Sequence, residues 1–315
     1  MGFPLRRTAL AGLALLALLA LAAASLLVGV GDLAGAGILL ASRVPRTLAL
    51  ILAGAGLAVA GVILQLVVQN RFVEPSTAGT AESATLGMLL VTLLAPDAPV
   101  VVKMLAAAAT ALAGTALFLR VLRAMPLRAR LTVPLVGIML GGVVGAASTF
   151  IAIRTDMLQF LGTWQAGDFS TVLRGRYELL WLAAVLTVLA YALADRITIA
   201  GLGRDAAVNL GLDYRGVVAV SVAIVAMITA VTIATVGTVP FLGLVVPNLV
   251  ALAAGDNLRR TLPLVAAAGA GMLLACDVLG RVVRYPYEIP VGTVMGVVGS
   301  ALFLVLLLRR DAGHA

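Results

Sequence analysis

The chain has 315 residues, of which 62% are hydrophobic and 11% charged, with a formal net charge of +8. A soluble domain carries about 25% charged residues, so too few polar side chains are present here to cover a globule. One cysteine (Cys276) and one histidine (His314) exclude an intramolecular disulfide and a Cys/His metal cluster, and one lysine, Lys103, preceded by Val102, excludes a phosphate-binding GxxxxGK[ST] loop.

Apolar runs of about 20 residues recur from end to end, and the mean hydropathy is +1.14. This pattern predicts an all-α polytopic membrane protein, with residues 1–315 forming one domain. Arg6, Arg7 and the small residues LAAAS (21–25) fit a signal peptide superficially. The run from Thr8 to Val30 is longer than the ~7–15 residues of a signal core, which predicts a retained first span over 8–31. The second span, 44–68, carries Gly54, Gly56 and Gly61, small residues that allow close helix packing, and Gln65, read as interhelical glue.

The stretch VVQNRFVEPSTAGTAESATLG (67–87) then breaks the apolar pattern; taken alone it is a connecting loop. It leads into a short span, 79–95, interrupted by Gly79 and Gly87. Spans follow at 100–121, 132–152, 177–195 and 216–236, then a second short one at 240–254, interrupted by Pro240 and Pro247, and finally 261–280 and 291–308. Broken helices are tolerated only where neighbouring protein or a cavity satisfies the freed backbone groups.

Ten spans put both termini on one side. Arg43, Arg46, Lys103, Arg154, Arg174, Arg176, Arg281 and Arg284 fall on the other, leaving 14 of the 22 cations on the terminus side. That excess assigns both termini to the cytoplasm, and cations spread this way are a topology signal rather than a nucleic-acid surface. Most carboxylates fall at span ends, so no mid-span titratable relay is expected. Asp277 and Arg281, four residues apart on one helical face, are expected to pair.

Four segments, in order, resemble the permease subunits of ATP-driven importers for iron–siderophore complexes, the family that includes the vitamin B12 permease. They are RVPRT with the glycine-rich helix after it, NRFVEPSTAG, GTVPFLGLVVPNLV (237–250) and CDVLGRVVRYPYEIPVGTVMGVVGSALFLVLLLRR (276–310). The resemblance covers nearly the whole chain. Two departures stand out: the family's Asn-Pro is Asn70-Arg71, and its Pro-His is Pro247-Asn248. With residues 163–170 and RGRYELL (174–180), the chain looks like the branch handling catecholate and petrobactin-like siderophores.

The resemblance implies a division of labour. Asn70, Arg71 and Phe72 match a cytoplasmic gate, with a second constriction at Arg130, Leu131, Thr132 and Val133. The segment 198–216 is a capped connector on its own terms; the resemblance makes it a coupling segment that docks on a separate ATPase through Arg204, Asp205, Ala206, Ala207, Asn209 and Leu210. Arg43 and Arg281 are interfacial anchors when read alone. They match arginines that receive carboxylates of an extracytoplasmic substrate-binding protein, with Arg46 and Arg284 as weaker candidates.

Phe160, Trp164 and Phe169 form either an aromatic belt or a vestibule rim. No catalytic residue, metal site or cofactor is expected on this chain, with ATP used by the partner ATPase. The implied partners are a second permease, preferably a different chain, two ATPases, the binding protein, the ferric siderophore and lipid. The location implied is the bacterial plasma membrane. A corrinoid or haem is the alternative cargo. A gradient-driven carrier and a non-transporting scaffold are the rival functions.

Overall fold

The computed structural model describes residues 3–28, 39–124, 132–175, 177–255 and 257–311. Among them the regular structure is helical: α1 (Phe3–Leu27), a π-helical turn (Leu39–Arg43), α2 (Val44–Val68), α3 (Thr80–Leu94), α4 (Val100–Ala124), α5 (Thr132–Arg154), α6 (Leu158–Ala166), α7 (Leu180–Ala192), α8 (Ala194–Ala200), α9 (Arg204–Asn209), α10 (Tyr214–Val236), α11 (Leu242–Ala254), α12 (Leu258–Val283) and α13 (Val291–Asp311). Six helices are long and apolar enough to cross a membrane, α7 and α8 form one broken span bent by 67°, and three shorter apolar helices lie in α1, α3 and α11. Together these account for the ten expected spans.

Local chemistry sets the ends. Pro45 stands in the first turn of α2, where its missing N–H costs nothing. Asp213 caps α10 by accepting from the Gly216 amide, and Asn257 caps α12 by accepting from the Arg260 amide. Helix α6 is an addition: 154–176 reads as a non-spanning loop, but Leu161 anchors a two-turn helix by packing with Leu89 and Ala152.

We call the side where α1 begins and α13 ends the terminal face. Helix α2 is the hub, with 78% of its apolar window buried against 22% for α5 and α13. It packs most extensively on α12, and also on α10, α11 and α7. Its glycines make this possible. A Cβ on Gly54 would come within 2.6 Å of the Gly269 carbonyl, and the backbone of Gly61 lies directly against Gly243. Gly56 meets only side-chain ends, Ile228 and Ala183. Gln65 donates to the Gly243 carbonyl at 3.1 Å, the interhelical bond expected of it.

The two short helices begin in the interior. At the start of α3, the Thr80 hydroxyl bonds Thr115 of α4 at 2.7 Å, well inside that helix. Helix α11 starts beside Leu57 and Gly61, in the middle of α2. From there α3 runs to the far face and α11 to the terminal face. Their leading segments, 69–79 and 237–241, therefore enter from opposite sides, a discontinuous-helix arrangement that exposes backbone only to protein.

Candidate functional site

Residues 69–79 fold back into the protein instead of passing over it. Gln69 takes the left-handed conformation that ends α2 (φ 54°), and its side-chain amide donates to the Gly201 carbonyl at 3.0 Å. Asn70 is buried, and its Oδ1 accepts from the Phe72 amide at 2.9 Å, an Asx-type turn that leaves Arg71 and Phe72 half-buried. The Phe72 ring meets Phe303 of α13 edge-on, with centroids 6.0 Å apart.

Val73, Glu74 and Ala78 are buried, and Gly79 turns the chain into α3 with φ 74°. Glu74, which reads in sequence as a loop carboxylate near a span end, is 2% exposed and sits at mid-depth beside Gly243. It is drawn inward because Ser76 and the Phe241 amide donate to it. Glu82, in the first turn of α3, lies against Gly141 and Gly145 of α5. Two carboxylates thus lie deeper than their sequence positions suggest.

On the terminal side of this loop lies a cavity of about 250 Å³, lined among others by Gln65, Gln69, Asn70, Arg71, Pro247, Asn248 and Thr261. Of the second expected constriction, Arg130 and Leu131 lie outside the described residues. Thr132 opens α5 and Val133 is buried. Helix α5 meets the 69–79 loop one turn further along, where Gly137 packs on the Thr77 carbonyl and Gly141 on Gly79.

The segment 198–216 forms the end of α8, then α9, on the terminal face. Arg204, Asp205, Asn209 and Leu210 are exposed and Ala206 is half-buried. Ala207 is fully buried, which corrects its expected place on the outward apolar face. This six-residue helix packs on α8 and α10, and its smallest inward side chain fills the contact. The exposed apolar side chains are Leu202, Val208 and Leu210, two of which the sequence reading missed. Bulky apolar residues in a connector on the charge-rich side were the available signal.

At the far face, Arg43 and Arg281 are 7% and 5% exposed. Arg43 donates to the Leu26 carbonyl at 2.9 Å, and Arg281 to the carbonyls of Ser25 and Val28 at 2.9 and 2.6 Å. Both guanidiniums thus satisfy the open carbonyls at the end of α1. Arg281 also pairs with Asp277, as the i,i+4 spacing predicts. Asp277 pairs in turn with Arg46 at 2.7 Å, and Arg46 reaches Glu288 at 2.7 Å. Both side chains, expected at the docking surface, are thus engaged within the chain by the end of α1, and Arg281 by Asp277 as well. Arg284 is exposed beside Tyr287, 5.9 Å from its ring centre.

Of the outer aromatics, Phe169 is wholly buried, and Trp164 is half-buried with its carbonyl accepting from the Thr238 amide. Neither arrangement suits an open rim.

The model of the FecCD transport family matches residues 12–309. The chain belongs to the FecCD transport family. Among its FecCD-type relatives is the petrobactin import system permease protein YclN of Bacillus subtilis, 44% identical over 305 residues, covering 94% of this chain and 96% of that protein. The ferric-anguibactin transport system permease protein FatD of Vibrio anguillarum is 41% identical over 271 residues, covering 86% of each. A solved structure described as an inward-facing conformation of a metal-chelate type ABC transporter shares the fold, with a TM-score of 0.81 at 23% identity over 96% of this chain and 99% of that one. The FecCD chain described here is therefore a multi-pass protein of the bacterial inner membrane.

Proposed function

We propose that this chain is the permease subunit of an ATP-binding-cassette importer that moves a ferric siderophore of the petrobactin or catecholate class into the cytoplasm by alternating access. The observation that carries the reading is 44% identity with a petrobactin import permease across nearly the full length of both chains. In this reading the chain is not an enzyme and binds no cofactor. Two ATPase subunits hydrolyse ATP below it, a second permease (a different chain in the preferred form) faces it across the pathway, and a binding protein delivers cargo from outside. Both termini lie in the cytoplasm.

Asn70, Arg71 and Phe72, with the start of α5, form the exit gate, and the 250 Å³ cavity is its cytoplasmic antechamber. The ATPase docks on the exposed residues of 202–210: Leu202, Arg204, Asp205, Val208, Asn209 and Leu210. Docking of the binding protein passes to exposed Arg284, while Arg43 and Arg281 hold the scaffold beneath it.

The test is uptake by the reconstituted importer of labelled ferric petrobactin, a ferric catecholate, a corrinoid and haem. ATP-dependent uptake of the first two is expected. Uptake of the corrinoid alone would overturn the cargo. Uptake that survives ATP depletion but collapses with the ion gradient would restore the carrier reading.

A further inference from the structure

The gate loop, 69–79, contains one carboxylate, Glu74, and it is buried against the start of α11. Its Oε1 accepts from the Phe241 amide at 2.8 Å and from the Ser76 hydroxyl, and the amides of Gly243 and Leu244 face the same group. Phe241 holds φ 63°, a left-handed conformation that a bulky side chain rarely takes. Strain of this kind persists where its surroundings over-determine it, and here the carboxylate fixes the strained amide. Beside Glu74 only about 20 Å³ of space remains, bordered by Pro75, Ser76, Thr229, Thr232 and Thr238, about one water molecule's worth.

A second contact lies two turns along α11. Asn248 donates to the Arg71 carbonyl at 2.9 Å and to the Leu244 carbonyl at 2.7 Å. Arg71 and Glu74 flank Phe72, so the gate tip is clipped to α11 on both sides. Helix α11 is fixed in turn to α2 by the Gly61–Gly243 backbone contact and the Gln65 bond. It also packs against α12, whose Arg259 pairs with Asp195 of α8 beside the coupling segment.

We propose that Glu74 is a positioning residue which, with Asn248, locks the gate tip to α11, so that the gate opens only when α11 moves. This rests on reading Asn70–Phe72 as the gate. The displacement of α8 and α9 then reaches the exit through α12 and α11. Buried hydrogen bonds in a dry interior hold this linkage more firmly than packing alone.

The test uses the complete importer in proteoliposomes, with an Arg71→Cys reporter that keeps the backbone carbonyl clip. Cys276 is 1% exposed and stays silent. Labelling by a membrane-impermeant maleimide is measured at rest, alongside uptake kcat, KM and ATP consumed per substrate. Glu74→Gln and Asn248→Ala are each expected to raise resting labelling about tenfold, lower kcat, and leave KM within about twofold. ATP consumed per substrate rises with them. Unchanged labelling and coupling in both variants overturns the linkage, as does a loss of folded protein whose remainder labels and transports normally. Phe72→Ala separates the two levels. If it uncouples ATP hydrolysis while Glu74→Gln and Asn248→Ala do not, the gate stands and the linkage fails; if it leaves coupling intact, the gate reading itself fails.

Discussion

Asp277 carries more than its sequence neighbour suggests. It lies between two guanidiniums, Arg46 and Arg281, while Arg281 and Arg43 close the carbonyl end of α1. Removing a buried carboxylate leaves its cations uncompensated, a cost of about 3–5 kcal/mol. Asp277→Ala should therefore lower the thermal stability of the detergent-solubilised protein sharply. Glu288→Ala, which removes only the 31%-exposed partner of Arg46, should cost less than about 1 kcal/mol. The sequence showed the Asp277–Arg281 pair because i,i+4 spacing is local. It could not show that Arg46 arrives from 231 residues away, or that α1 ends beside both arginines. That tertiary placement gives Arg43 and Arg281 contacts inside the chain that their sequence positions do not show.

At the scale of helices, the second span was legible to the residue at 44–68, and its glycines were legible as contact points. Their partners were not, because which helix lies opposite depends on how the chain returns. The structure ranks them. Gly61 touches backbone, which cannot give way, whereas Gly56 touches side-chain ends. Gly61→Ala should cost about 1–3 kcal/mol in stability, by the ordinary penalty of overpacking. Gly56→Ala should stay within about 1 kcal/mol, because the gain in helix propensity offsets a small adjustment. Comparative thermal unfolding of the two variants checks the ranking. The same limit explains Glu74. Its place in a polar stretch between spans reads as a loop at the surface, and only the return of 237–241 from the other side shows that it meets α11 inside the protein.

For the whole molecule, hydropathy was enough to count ten spans, and the two interrupted ones became the half-helices α3 and α11. Helix α6 and the 67° break between α7 and α8 escaped it, since a short amphipathic turn and a bend leave little trace in apolar content. The proposed orientation makes a clean prediction. A membrane-impermeant maleimide added to intact cells should label Asp97→Cys but not Asn209→Cys, and inside-out vesicles should reverse this; both positions are exposed, at opposite ends of the spans. Labelling of Asn209→Cys in intact cells would invert the topology. The opposed half-helices also bear on cargo. Each helix start carries roughly half a positive charge from its aligned peptide dipoles. Aimed into a low-dielectric interior, two such ends would form a well for an anionic chelate. Glu74 accepts from one start and Glu82 stands in the first turn of the other, so each start already faces a carboxyl group of this chain. Both places where an anionic chelate would find a bare helix start are thus already taken by side chains of the chain itself.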